Sequence, residues 1–583
     1  MLNPSPEQQL VGDAVVAGQA NNLTIALPGS GKSTTCIAAV VRLINSHPGA
    51  KPHMISFSAA AAAGINNKLK AILPANLFHR VTVSTFHAVL LEMYKSLPNA
   101  KELVLGPRQI GIILRAIEKS RLVMELEEAQ NIIENETRML NPPKQSKIVA
   151  AYKEVLDRYH LIDFNLICRT VVKAMEEGKI KPLNVTHMIV DEFQDTDEVQ
   201  LRWLYHHHLA GVLITAVGDD DQSIYGFRGA LGFEIMERFV QEFDAQTFYL
   251  SNCFRCGRKI LAAAEFIINF NQQRLPKVMK AVSKNEGKLK VIPAHDRKSS
   301  IAAVADRIEA EPGEWAVLGR NGAHLDGIEL ELNMKKIRCK RIGGKSIWDT
   351  PAANCTLYLL QLILEQKITR DAHLAFAQLL KMPENIINEM ESHRSAHLAE
   401  IVLETNVSSA QKSALLTLVA LASDSRDDAD IRKRLERLAN AVISMGHGKA
   451  DIGIMVAILR MIARDNGSWL ERLERITSRL RSVSKKGEIE LDSTIVALTT
   501  LHGSKGLEWD NVAIIELCHG IYPGSKIDTE EGFEEERRLM FVGMTRAKKV
   551  LDLHFHGQPN IYITELSVGG IVTWGTEGKK LAN

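Results

Sequence analysis

The stretch Ala26-Leu27-Pro28-Gly29-Ser30-Gly31-Lys32-Ser33-Thr34 decides how the rest of the chain is read. A β-prone apolar run, Leu23 to Leu27, leads into it, and an apolar pattern at helical spacing (Ile37, Val40, Val41, Ile44) leads out. That context predicts strand, loop, helix. Glycines let consecutive backbone N–H groups wrap a phosphate chain at a helix N-terminus, a lysine neutralises the β/γ oxygens, and a hydroxyl serves Mg²⁺. Gly29, Gly31, Lys32 and Ser33 supply these parts, with Pro28, Ser30 and Thr34 completing the loop, so a nucleoside triphosphate and Mg²⁺ are the expected ligands. Ala26 stands where the usual pattern has its first glycine, and a glycine-rich turn without nucleotide is the competing reading.

At 583 residues the chain is too long for one core and suggests about three or four domains. Its 45% hydrophobic and 24% charged content is that of an ordinary globular protein. No apolar run approaches the roughly 20 residues that span a bilayer, and the N-terminus lacks the layout of a signal peptide. A cytoplasmic location with no membrane partner is expected. The net charge of +2 neither demands nor excludes nucleic acid, since an acidic ATP site can offset a basic groove. Seven scattered cysteines make a disulfide framework a poor reading. Cys253-Phe254-Arg255-Cys256 is a CxxC, but no second CxxC or Cys/His pair lies at a metal-binding spacing. His206-His207-His208 would point three ways from a helix, which predicts a solvated or partly packed face.

Before the loop, Pro4-Ser5-Pro6-Glu7-Gln8 opens a helix, and the amide of Gln8 has the donor and acceptor that suit an adenine edge. After it, His53 to Phe57 reads as a buried strand, and Val81 to Ser84 as another that ends in Thr85-Phe86-His87. Strand ends in a parallel sheet face the ligand crevice, so Phe57, Phe86 and His87 can stack on bases or touch phosphates, although a lone Phe there is usually core. Residues 100 to 165 are helical by period, with a break at Asn141-Pro142-Pro143. Met188-Ile189-Val190 then ends in Asp191-Glu192-Phe193-Gln194-Asp195, where one acid can approach Mg²⁺ while its neighbour polarises a water. Val212 to Val217 ends in Gly218-Asp219-Asp220-Asp221-Gln222-Ser223-Ile224-Tyr225-Gly226-Phe227-Arg228-Gly229, a mixture poorly suited to a core and well suited to linking a phosphate site with a stacked base.

Taken together these stretches resemble superfamily 1 helicases of the UvrD/Rep/PcrA type. The resemblance continues in order through Leu250-Ser251-Asn252-Cys253-Phe254-Arg255, then Thr500-Leu501-His502-Gly503-Ser504-Lys505-Gly506-Leu507-Glu508-Trp509, then Glu534-Glu535-Glu536-Arg537-Arg538-Leu539 to Thr545-Arg546-Ala547. It implies an α/β fold with two RecA-like parallel-sheet motor domains, each carrying a mainly helical insertion. The expected boundaries are 1–87 with 165–255 for the first motor domain and 88–164 for its insertion. The second motor domain is 256–355 with 490–583, and its insertion is 356–489. Within that last insertion, the basic segment 471–486 can touch phosphates or form a solvated helix face.

The resemblance also assigns roles. Lys32 would hold the β/γ oxygens, Ser33 and Asp191 Mg²⁺, and Glu192 the attacking water. Arg255 and Arg546 would come from the second domain, with Leu539, Val542 and Arg546 on one helix face. Gln222 and Arg228 would couple the γ-phosphate to DNA. Phe254 would pack on adenine and Glu508 lie near the ribose. Phe57, Thr85, Phe86, His87, Tyr225, Phe227, Trp348, Thr500 and His502 would line the DNA strand. The activity implied is ATP-driven movement, 3′ to 5′, on single-stranded DNA and at ss/ds junctions. An alternative is a motor ATPase subunit of a repair, phage or anti-phage complex that needs a nuclease or repair factor as partner; another is a DNA-binding scaffold without catalysis. Phe227 in place of Trp, Phe254 in place of Tyr, Thr34 in place of an arginine and Ala59 in place of an asparagine depart from the pattern without touching phosphate chemistry.

Overall fold

In the computed structural model the described residues are 4–226, 229–311, 313–344, 346–350, 352–354, 356–357, 495–525 and 527–572, with a few isolated positions between 358 and 494. Strand β1 (Asn22–Ala26) is buried along its whole length. Strands β2 (Pro52–Ser56) and β3 (Thr82–Thr85) follow, each after a helix, Lys32–Ser46 and then Ala59–Ile72. The chain then makes a helical excursion. Helices Gly106–Ser120, Leu126–Arg138 and Lys147–Arg158 bury Ile112, Ile113, Ile133, Tyr152 and Val155 in a core of their own. A two-residue ladder, β4 (Glu102–Leu103) with β5 (Leu161–Ile162), closes its base. Helix Phe164–Glu176 returns to the main core, and β6 (His187–Asp191), β7 (Leu213–Gly218) and β8 (Gln246–Leu250) complete the sheet.

The strand order is β3-β2-β6-β7-β1-β8, and every pairing is parallel. Helices on both faces explain why the strands read as unbroken apolar runs. Alternate side chains feed two cores: Leu23, Ile25, Met188, Val190, Ile214 and Ala216 join one, while Ala26, Ile189 and Val217 join the other with Ile37, Val40 and Ile44. Register sets Asp191 beside Val217, and Gly218 beside Ile25, so three strands end level at one edge of the sheet.

Beyond the sheet, β9 (Asn252–Cys253) pairs with β10 (Lys280–Ala281). A second six-stranded sheet is built from β11 (Lys288–Ala294), β12 (Trp315–Gly319), β13 (Cys339–Arg341), β14 (Val496–Thr500), β15 (Trp509–Ile514) and β16 (Ala547–His556), in the order β11-β16-β15-β12-β14-β13. Its core holds Val304, Trp315, Val317, Leu332, Leu498 and Ala513.

The described residues fall into two compact units, Met1–Lys288 with Ser525–Lys549, and Leu289–Gly524 with Val550–Asn583. The helix Glu530–Met544 belongs to the first. Its hydrogen bonds explain why: Gln272 N–H donates to Glu534 Oε1 at 2.5 Å, Gly226 N–H to Glu535 Oε1 at 3.1 Å, and Arg538 Nε to the Ser223 carbonyl at 3.0 Å. Among the three adjacent histidines, His207 is fully buried, accepts from Leu183 N–H at 3.0 Å and packs on Trp203, while His206 and His208 are partly exposed, so the face is partly packed. Among the described residues no helix is long and apolar enough to cross a membrane.

Candidate active site

The loop after β1 takes its shape from two glycines. Gly29 and Gly31 have φ of 69° and 82°, a left-handed backbone that side chains disfavour. A Cβ on Gly29 would stand 2.5 Å from Arg255 Cβ, and one on Gly31 would stand 2.6 Å from Gln8 Nε2. The loop is braced from inside by Ser30 Oγ, which donates to the Leu27 carbonyl at 2.8 Å, and from outside by Gln8 Nε2, which donates to the Ser30 carbonyl at 3.0 Å. Gln8 Oε1 accepts from Ser5 N–H at 2.8 Å in a capping box, so in this conformation the amide holds the loop. Helix Lys32–Ser46 starts at the loop with no side-chain cap on its first N–H groups, the arrangement an anion can complete.

Level with that loop, Ser33 Oγ donates to Asp191 Oδ2 at 2.6 Å. Burial, reinforced by the charge of Glu192, raises the Asp191 pKa to about 6. A hydroxyl and a buried carboxylate meeting in one place are oxygen ligands suited to a hard cation, so the donor set fits Mg²⁺. Glu192 has φ of 54°, a conformation that costs on the order of 1 kcal/mol or more for a non-glycine residue. Its own N–H donates to Asp191 Oδ1 at 3.0 Å, and its Oε2 accepts from Gln194 Nε2 at 2.6 Å and lies 3.4 Å from Lys32 Nζ. These contacts hold the carboxylate in place despite the backbone strain.

From Glu192 the polar contacts run on. Gln194 Oε1 accepts from the Asp219 N–H at 2.9 Å, the Asp219 carboxylate accepts from Gln222 Nε2, and Gln222 Oε1 accepts from Arg546 Nη2 at 3.4 Å. Asp219, Asp220, Asp221, Gln222, Ser223 and Ile224 are all buried, contrary to the expectation that this stretch is unsuited to a core. The reason is charge pairing. Lys277, 2% exposed, places Nζ 2.7, 2.6 and 3.0 Å from Asp219, Asp220 and Asp221, and Arg274 lies 2.9 Å from Asp221. Burial opposes the charge on Lys277, but the three carboxylates outweigh it and raise its pKa. Burial likewise works to raise Asp221, and Lys277 with Arg274 lowers it instead. Sequence reasoning passes over Lys277, Arg274 and Gln194; the available signal is three consecutive acids at a strand end, which need nearby cations.

Arg546 is 1% exposed. The helix ends at Met544, so Arg546 lies two residues beyond it and not on its face as the spacing suggests. Its Nε donates to the Val542 carbonyl at 2.9 Å, which turns the guanidinium back under the helix end. Arg255 Nη1 donates to the Thr545 carbonyl at 3.3 Å. Phe254, about half exposed, donates its N–H to the Gly29 carbonyl at 2.9 Å and so ties the stretch 253–256 to the phosphate loop. Both arginines, expected from the second domain, thus belong to the same compact unit as that loop.

The residues expected along a DNA strand divide in two. In the first unit the rings of Phe57 and Tyr225 stack at 5.2 Å and 15°, both partly exposed. His87 is exposed and meets Phe164 edge-on at 4.9 Å. Thr85 Oγ1 accepts from Ala88 N–H at 3.2 Å and caps a helix. Phe86 is a correction: its ring is buried in the main core, edge-on to Trp203 at 5.9 Å, and cannot stack on a base. In the second unit Trp348 and His502 are partly exposed, Glu508 is exposed, and Thr500 Oγ1 accepts from Gly503 N–H at 3.0 Å. Phe227 and Arg228 lie outside the described residues, as do nearly all of 356–489 and the basic segment 471–486.

A phosphate loop, a strained acid pair and a buried arginine around one sheet edge match what comparison with known families finds. The UvrD/REP helicase N-terminal domain matches residues 7–133 and 108–244, and the UvrD-like helicase C-terminal domain matches 248–558. The chain belongs to the UvrD-like helicases. It is therefore an ATP-hydrolysing DNA helicase. This helicase is 26% identical to DNA helicase II of Haemophilus influenzae over 95% of its own length and 84% of that protein. It is 25% identical to the ATP-dependent DNA helicase Rep of Buchnera aphidicola, over 91% of both chains. It is also 25% identical to the ATP-dependent DNA helicase PcrA of Leuconostoc citreum, over 93% of this chain and 80% of that one.

Proposed function

We propose that this helicase moves 3′ to 5′ along single-stranded DNA and opens duplexes at ss/ds junctions, with ATP hydrolysis gated by the DNA strand. The direction follows the family resemblance; the observation that supports the gating is the unbroken run of polar contacts from Lys32 through Glu192, Gln194, Asp219 and Gln222 to Arg546. Phosphoryl transfer asks for positioning and for positive charge around the γ-phosphate. Lys32 neutralises the β/γ oxygens, Glu192 orients the attacking water, and Arg255 and Arg546 meet the charge that develops in the transition state. Ser33 and Asp191 would hold Mg²⁺, which supplies further charge neutralisation at the phosphates. Phe254 covers the base, and Glu508 serves the ribose.

The motor halves divide at 255/256, with 1–87 and 165–255 in the first and 256–355 and 490–583 in the second; 88–164 and 356–489 are their insertions. Gln222 and Arg546 are in contact within one compact unit, so that a shift of Gln222 is felt at the arginine. Gln222 lies three residues before Tyr225, whose ring is stacked on Phe57, and a base displacing that stack would move the segment. Thr85, His87, Phe227, Arg228, Trp348, Thr500 and His502 complete the strand contacts. Unwinding assays on duplexes bearing a 3′ or a 5′ single-stranded tail test the proposal. Strand separation confined to 3′-tailed substrates and dependent on ATP is expected; equal activity on 5′ tails would remove the assigned direction.

A further inference from the structure

The Cys253-Phe254-Arg255-Cys256 stretch is a motif whose sulfurs nucleotide chemistry leaves unused, yet it sits directly beneath the phosphate loop. Cys253 Sγ stands 3.3 Å from where a Cβ on Gly29 would lie. Phe254 N–H donates to the Gly29 carbonyl at 2.9 Å, and Arg255 Nη1 donates to the Thr545 carbonyl at 3.3 Å. The two residues between the sulfurs therefore support the loop on one side and the segment carrying Arg546 on the other.

Both sulfurs are buried, and both are thiols. Cys256 N–H donates to Cys253 Sγ at 3.5 Å. The Cys256 thiol donates to the Thr545 carbonyl at 3.5 Å. The hydrogen bond from the Cys256 thiol, with backbone N–H groups and the Arg255 charge, lowers the Cys253 pKa to about 6 against the opposing effect of burial. The Cys256 thiol is raised by the same bond and by burial. The two sulfurs thus stand three residues apart in sequence, Cys253 favoured toward the thiolate and Cys256 toward the thiol, just before helix Arg258–Ile268.

We propose that Cys253 and Cys256 are an oxidisable dithiol that a small peroxide converts to a disulfide, displacing Arg255 and stopping ATP turnover. The second half of this inference rests on the role given to Arg255 above. The Cys253 thiolate attacks one peroxide oxygen, the O–O bond breaks, and hydroxide leaves; sulfur is oxidised to sulfenic acid and the peroxide is reduced. Cys256 sulfur then attacks the sulfenic sulfur, an S–S bond forms, and the hydroxyl departs with the Cys256 proton as water. Both sulfurs are closed to solvent, so a small peroxide reaches them through local opening, and a bulky oxidant such as glutathione disulfide would need a far larger one. A disulfide demands Cβ atoms about 3.8 Å apart, so the intervening Phe254-Arg255 turn must adjust to that spacing.

The test uses the full-length reduced protein treated with hydrogen peroxide, with peptide mass spectrometry and DNA-stimulated ATPase read in parallel. A Cys253–Cys256 linked peptide is expected, with turnover falling about a hundredfold, the cost of misplacing a reacting group by about 1 Å, and returning with dithiothreitol. Cys253→Ser keeps its starting activity under peroxide, and Cys256→Ser accumulates a sulfenic acid that a 1,3-diketone labels at Cys253. Glutathione disulfide has no effect on the wild type. Absence of the linked peptide, or equal loss in Cys253→Ser, overturns the inference. Were the reduced protein to lack ATPase, the assignment of the nucleotide site would fail instead, and the mass measurement would still decide the thiol chemistry.

Discussion

The two six-stranded sheets share an architecture and differ at their strand ends. In the first, β1 runs into two left-handed glycines and a lysine, and β6 runs into a carboxylate pair whose second member is backbone-strained. In the second, β12 runs into a short 3₁₀ turn capped by Asn321, and β14 into another, His502–Ser504, that leads on to a strand. Neither of those turns sets two left-handed glycines directly before a helix. Both sheets bury the same kind of apolar strand. The comparison teaches that the sheet supplies rigidity alone, and that phosphate chemistry is written in the few residues after the strands.

That contrast can be broken or sharpened by substitution. The largest effect is expected from Arg546→Ala: ATP turnover should fall by ~10³–10⁵, as for other arginines that meet a transferring phosphoryl group, while circular dichroism stays native. Turnover within a factor of about ten of the wild type would mean that the charge comes from elsewhere. Next, Lys277→Met removes the cation shared by three buried carboxylates, leaving only Asp221 paired, with Arg274, and should cost about 3–5 kcal/mol in a denaturant titration. A change below about 1 kcal/mol would show that the acids find other partners. Gln222→Ala should leave nucleotide affinity intact and cut stimulation by DNA by about 5–150-fold, the usual span of coupling between two sites. Equal loss of nucleotide binding would place Gln222 in the binding site itself.

The smallest effect concerns pH. Because the Asp191 pKa is raised to about 6, the nucleotide-free protein gains stability from the protonated form, fully below the ordinary carboxylate pKa, and loses it as pH rises through about 6. Nucleotide binding with Mg²⁺ needs the carboxylate and should weaken about tenfold per pH unit below about 6. Asp191→Asn should flatten both slopes in thermal melts and binding titrations. Slopes unchanged by the substitution would assign them to another group.

Much of the first sheet is legible in the sequence because its strands are apolar runs ending in chemically distinctive residues. The phosphate loop, Ser33 and the pair Asp191-Glu192 carry their meaning in residue type and local order. Other features depend on distant partners. The burial of Asp219 to Asp221 depends on Lys277, far along the chain, and no local pattern announces it. Phe86 reads as a stacking ring from its strand-end position, but whether it turns outward depends on Trp203. The motif points to Arg546, yet spacing alone carries the helix past its true end at Met544, since helix ends are set by capping contacts that periodicity does not reveal.

The most direct test of the central claim is the rate of ATP hydrolysis by the wild type and by Lys32→Ala, each with and without single-stranded DNA. The account predicts strong stimulation by DNA in the wild type, and in Lys32→Ala loss of both rates by about 10²–10³ with DNA affinity retained. Hydrolysis indifferent to DNA, or a Lys32→Ala protein as active as the wild type, would contradict it.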